Sequence, residues 1–226
     1  MVDFLFRIAP NLERLWPELL TCLEQTFIML AVAGTIAWFL GVATGVVLVT
    51  TRRGGILENR WIFTFTDRAI DIIRSIPFII LIVLLIPLSR LIVGTGSGVT
   101  GSFVALVFGT VPFFARQIEQ VLSEVDGGLV EASEAMGLTP LEIITGVYLK
   151  ESVPGITRVT MITFVSLVGI TAIAGAIGAG GLGDFAIRYG YQMGYRDMIW
   201  ITVFVILAII SIFQFFGNLI IRRTKH

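Results

Sequence analysis

Residues 126–154 read DGGLVEASEAMGLTPLEIITGVYLKESVP, the longest soluble-looking stretch in a chain otherwise compatible with lipid. Gly127 and Gly128 loosen the backbone, and Leu129 to Met136 has helix-forming composition. On that short helix Leu129, Ala132, Ser133 and Met136 fall on one face, with Glu131 and Glu134 on another. Gly137 follows where a left-handed helix stop favours a residue without a side chain. Thr139 then suits an N-cap, Pro140 the first helical position, and Glu142 the far side of a capping box. The stretch specifies two short helices meeting at a sharp corner. A corner of this kind suits docking by a partner, although an ordinary surface loop has the same spacing.

The surroundings of the corner are those of a membrane protein. The chain has 226 residues, of which 56% are hydrophobic and only 14% charged, and its mean hydropathy is +0.93. These values imply one polytopic domain with no room for a separate soluble catalytic domain. Net charge is zero, so no global field argues for nucleic acid or for an acidic ligand. The single cysteine, Cys22, excludes an intrachain disulfide. Acidic residues at 3, 13, 18 and 24 precede a long apolar run, which is expected to stay in the membrane as a span and not to be a cleaved leader.

Read in order, residues 1–24 mix Phe, Leu and Trp with charges and with Pro10 and Pro17, which predicts an interfacial lead-in on the membrane surface. A first span is expected over about 25–49, with a small-xxx-small spacing among Gly34, Gly41 and Gly45. A second, over about 72–91, carries Pro77 and Pro87 and is expected to be kinked inside a bundle. The third covers about 99–114 and can extend to 118, leaving Arg116 to snorkel or to face the interior. A fourth is read at about 159–177, ending in a Gly-rich run at 175–183, and a fifth at about 198–221 before the basic tail 222–226. The connection at 184–197 carries Tyr189, Tyr191 and Tyr195, as a membrane–water boundary does.

Five spans put the termini on opposite sides. Eleven Lys and Arg residues then fall on the side of 52–74, 116–158 and the tail, against five on the other. The positive-inside rule places the N-terminus outside and the C-terminus in the cytoplasm, with the 119–158 loop and its corner cytoplasmic. The expected fold is an all-α membrane protein, a polytopic helical bundle of five transmembrane helices with cytoplasmic coupling helices.

Enzyme readings fail on residue inventory. The only histidine is terminal and the only cysteine precedes the first span, so no metal cluster and no nucleophile–histidine pair can be assembled. No cofactor is expected. The glycine run at 175–183 invites comparison with a phosphate loop, but no lysine follows it, and close helix packing accounts for it better. No Asp or Glu occurs in 25–57, 72–118, 152–183 or 198–226. Proton-driven carriers keep an ionisable group near the midplane, and none is offered here. The chain therefore takes its free energy from a partner, or acts alone as a carbonyl-based ion-coupled carrier or channel for a small neutral solute.

Glu131-Ala132-Ser133, Gly137, Val147 and Leu149 resemble the EAA loop of bacterial ABC-importer permeases. Ser133 stands for the second Ala of that pattern, Val147 for Ile, and Lys150 for the final Pro. Arg74-Ser75-Ile76-Pro77-Phe78 and Gly178 to Gly183 resemble the methionine-importing members of that superfamily, and the likeness runs from about Glu24 to the C-terminus. The resemblance implies a permease domain over 25–221 and a non-catalytic subunit of the bacterial cytoplasmic membrane. Its implied partners are a second permease copy in a homodimer, two copies of a cytosolic ABC ATPase, and an extracytoplasmic substrate-binding protein or lipoprotein. The substrate it implies is methionine, with D-methionine and related amino acids included. Leu129, Glu131, Ala132, Ser133, Met136 and Gly137 would meet the ATPase. Near a dimer axis, Ile173, one bulky residue among small ones, would pair with its copy as a gate, unless it simply faces lipid or a neighbouring helix. Ser75 and Pro77, at the expected kink, are further pathway candidates.

Overall fold

The computed structural model describes residues 11–224, and every element among them is helical. The outermost part of the predicted lead-in (1–10) and the last two residues of the basic tail lie outside the described residues. In order, the elements are α1 (Leu12–Thr51), α2 (Arg60–Ser75), α3 (Phe78–Leu84), α4 (Ile86–Val93), α5 (Gly98–Ser123), α6 (Gly127–Ala135) and α7 (Pro140–Ile143). A wide π-helical turn, Ile144–Tyr148, and the short helix Leu149–Glu151 lead to α8 (Val153–Ala174), which runs into a second wide turn, Gly175–Ala179. Then come α9 (Gly181–Phe185), a third wide turn (Ala186–Gln192) and α10 (Arg196–Thr224).

Among the described residues four helical segments are long and apolar enough to cross a membrane: Leu12–Thr51, Gly98–Ser123, Val153–Ala179 and Arg196–Arg222. The second expected span is not a single helix. Proline lacks the N–H that would continue the ladder, and its ring clashes with the preceding turn. Pro77 accordingly becomes the N-cap of α3, and Pro87 sits in the first turn of α4. The stretch 72–91 is thus divided among α2, α3 and α4. Pro17 behaves otherwise: it lies inside α1, so residues 12–24 are continuous with the first span. That early in a helix the missing N–H removes only one bond of the ladder, to the carbonyl of Glu13.

The chain gathers into two compact units. The first holds residues up to 35 with 77–108 and 164–213. Its core includes Leu19, Met29, Leu106, Leu167, Phe185 and Met198, all buried. Phe164 stacks on Phe213 with ring centroids 3.5 Å apart. At one end of this unit, Asn11 donates from its side chain and backbone to the Asp197 carboxylate in the first turn of α10.

The second unit holds 36–76, 109–163 and the residues from 214 onward. Here the small residues of α1 meet α5. A Cβ at Gly41 would come within 2.6 Å of Phe114, and one at Gly45 within 2.5 Å of Ile118. Close approach of the two helices requires glycine at both places. The same unit accounts for Arg116. α5 runs on to Ser123, and Arg116 faces inward, donating to Asp67 at 2.5 Å, Asp71 at 2.8 Å and Glu119 at 2.7 Å. Asp67 and Asp71 are one turn apart on α2, so the same guanidinium reaches both and ties α2 to α5.

Candidate functional site: an outward corner and a glycine-lined break

The corner forms from its own residues. Asp126 caps α6 by accepting the Gly128 N–H. At the other end Gly137 takes φ +81°. Leu138 N–H then reaches the Ser133 carbonyl at 3.1 Å, and Gly137 N–H the Glu134 carbonyl at 2.9 Å. That is the Schellman pattern, and it satisfies the last carbonyls of α6. Two residues on, Glu142 accepts from the Thr139 N–H and hydroxyl, both at 2.7 Å, and completes a capping box with Pro140 in the first turn. Those hydrogen bonds hold the exposed Glu142 carboxyl below the usual glutamate range.

The two faces of α6 are sharply different. Val130 and Ser133 point inward, and Ser133 is only 5% exposed. Val130 joins Ile118, Leu122, Ile143 and Tyr148 in the second unit's core. The Ser133 hydroxyl donates to the Leu129 carbonyl at 2.7 Å. Ser133 therefore anchors the corner and does not form part of its outer surface, which corrects its expected place beside Leu129. Leu129 (46% exposed) and Met136 (71%) do face outward, as do Ala132 and Glu131. Leu141, 70% exposed at the start of the next helix, adds to this apolar surface. Its place between Pro140 and Glu142 carries no periodic signal that would assign it to the face of Leu129 and Met136. Val147 and Leu149 are half-buried against the same core. Burial pushes the Tyr148 hydroxyl above the ordinary tyrosine value.

Of the expected pathway residues, Ile173 is 42% exposed on α8, and Ile177, one turn further on, is exposed as well. Ser75 is the last residue of α2, exposed, with its hydroxyl donating to the Asp71 carbonyl at 2.8 Å. Pro77 caps α3 through its backbone alone.

The glycine run at 175–183 is a break in the helix. Gly178 takes φ +95°, Gly180 +85° and Gly181 +78°. The amides freed at the start of α9 are taken up by α1: Gly181 N–H donates to the Gln25 side-chain oxygen at 2.8 Å, and buried Leu182 N–H to the Thr26 hydroxyl at 2.8 Å. The Thr26 hydroxyl in turn donates to the Cys22 carbonyl at 2.9 Å. After the break the chain folds back so closely that a Cβ at Gly183 would collide with the Ala172 carbonyl oxygen. This is packing of unwound backbone, with glycine required at the contact.

These features define an all-helical protein with segments able to cross a membrane and a self-capped surface corner. Residues 37–226 match the family described as binding-protein-dependent transport system inner membrane component, and the chain belongs to that family. A probable D-methionine transport system permease protein, MetI, of Vibrio cholerae serotype O1 is 44% identical over 208 residues, covering 92% of each chain. The corresponding probable protein of Pasteurella multocida is 38% identical over 213 residues, covering 94% of this chain and 98% of the other. An inward-facing structure of the MetNI methionine ABC transporter superposes with a TM-score of 0.91 at 39% identity, covering 95% of this chain and 99% of that one.

Proposed function

We propose that this chain is the permease subunit of an ATP-driven importer of methionine. It works as a homodimer in a bacterial inner membrane, crossing it five times, with α3 and α4 together serving as the broken second crossing. The N-terminus lies outside and the C-terminus in the cytoplasm. Two copies of a separate cytosolic ATPase bind the corner and supply the free energy, and an extracytoplasmic binding protein or lipoprotein delivers the substrate. The permease itself catalyses no reaction.

The observation that carries this reading is the outer face of α6. Leu129 and Met136 are apolar, exposed and held on a helix capped at both ends by its own residues. An exposed apolar face on a rigid element is a partner surface. Movement of the ATPase would pass through α6 to α5 and α8 as a rigid-body push. Ile173 would meet its copy across the dimer axis as an apolar gate. The expected stereochemical range, including D-methionine, follows the similar proteins named above.

The deciding experiment is reconstitution of this chain with its ATPase and binding protein. ATP-dependent methionine uptake is expected. Gly137→Pro should abolish uptake and substrate-stimulated ATP hydrolysis, with the permease still inserted in the membrane. Uptake unchanged in that variant would remove the corner from the coupling path. Gradient-driven flux by the chain alone would replace the reading with that of an independent carrier.

A further inference from the structure

Within the first unit a half-open cavity of about 320 Å³ lies against the helix break. That volume is in the range of small-molecule sites. Ile82, Val83, Ile86, Ala174 and Ile177 make its apolar wall. Gly96, Gly98 and Gly178, which can offer only backbone, line much of the rest. Broken helices expose backbone polar groups in this way where they line a cavity.

Among the described residues one charge lines the cavity, and it is positive. Arg90 belongs to the last turn of α4, and no acidic side chain among those residues accompanies it in the lining. Among the described residues Arg90 makes no ion pair. Arg90 is exposed, with the inner part of its side chain against the loop: a Cβ at Gly96 would come within 3.1 Å of Arg90 Nε and 2.7 Å of Ile86. Glycine at 96 thus leaves the room in which the guanidinium and the apolar wall meet. A planar cation with several donors at the edge of an apolar cavity matches a carboxylate joined to an apolar side chain.

We infer that this cavity is a station on the import path that holds the transported amino acid, with Arg90 binding its carboxylate and the isoleucine wall taking its thioether side chain. The inference rests on the methionine-import reading above and adds a permease site to it. Arg90 is a specificity-determining residue here, since an otherwise identical solute without a carboxylate gains nothing from it.

The chain's lone cysteine makes a local test possible, because Cys22 is buried and slow to react. Ser97, an exposed residue of the cavity lining, can carry a reporter as Ser97→Cys. In the assembled transporter in membranes, methionine should slow alkylation of that cysteine several-fold. The carboxamide of methionine should give no protection. Arg90→Gln should abolish protection by methionine, and Arg90→Lys, which keeps the charge without the fork, should retain part of it. If methionine gives no protection in a transporter that imports it, the station is wrong and the import reading stands. Equal protection by the carboxamide, or protection surviving in Arg90→Gln, removes Arg90 as the carboxylate's partner. Should Arg90→Gln fail to assemble, the carboxamide comparison and Arg90→Lys decide alone. Absence of ATP-driven uptake by the unmodified transporter would instead overturn the import reading.

Discussion

The corner at Gly137 and the break at Gly178 are both made by glycines in left-handed backbone, yet they are held in opposite ways. Every cap of the corner comes from within residues 126–142. The break depends on Gln25 and Thr26, more than a hundred and fifty residues away in the chain, for the amides it frees. A self-held bend keeps its shape whatever its neighbours do. A bend held by another helix exists only when that helix is in place, and it reports on that helix's position.

The strongest way to break this contrast is to put the same methyl group in both places. Gly183→Ala drives a Cβ into the immovable Ala172 carbonyl. It should cost about 3 kcal/mol, the upper end for overpacking, and be seen as a large drop in the unfolding midpoint or in recoverable protein. Gly137→Ala meets nothing within 4 Å. It should cost only the left-handed backbone penalty of about 1 kcal/mol. Equal effects at the two sites would erase the distinction.

Removing the distant support comes next in size. Thr26→Val keeps the volume but leaves the buried Leu182 N–H without an acceptor, which costs about 1–3 kcal/mol. Thr26→Ser should restore the midpoint, and failure of that rescue would mean that packing at 26, and not the hydrogen bond, holds the break.

The smallest effect sharpens the other side of the comparison. The Glu142 carboxyl titrates below its unfolded value, so its support of the capping box is complete above the ordinary glutamate pKa of about 4.3 and is lost as pH falls through the lower folded value. Amide-exchange protection at Thr139 should therefore weaken only in acid, and Glu142→Gln should show no such transition. Identical acid behaviour in both proteins would show that the carboxylate does not hold this turn.

The same difference explains what the sequence allowed one to read. Asp126, Gly137, Thr139, Pro140 and Glu142 act on residues two to five positions away, so the corner was legible from spacing. The face of α6 was legible only in part: Leu129 and Met136 fall outward as their period suggests, but Ser133 shares the inward side with Val130, and only the neighbouring core decides that. Gln25 and Thr26 look like ordinary polar residues at a span's edge, because their partners lie in a distant segment. Pro77 and Pro87 each begin a new helix where the sequence suggests a kink, because a proline within an apolar run marks a broken hydrogen-bond ladder without telling whether the helix rejoins beyond it. The Arg116 cluster carried a usable hint in the one-turn spacing of Asp67 and Asp71, two acids on one face awaiting a cation.

A transmission part is judged by its backlash. Because Val130 is seated in the same packed interior as Ile118 and Tyr148, and Ser133 is buried as well, a shove on Met136 by the proposed partner would find little play to take up before the long helices feel it. Under the coupling proposed above, the stiffness of those few residues would set how faithfully a stroke outside the membrane is delivered within it.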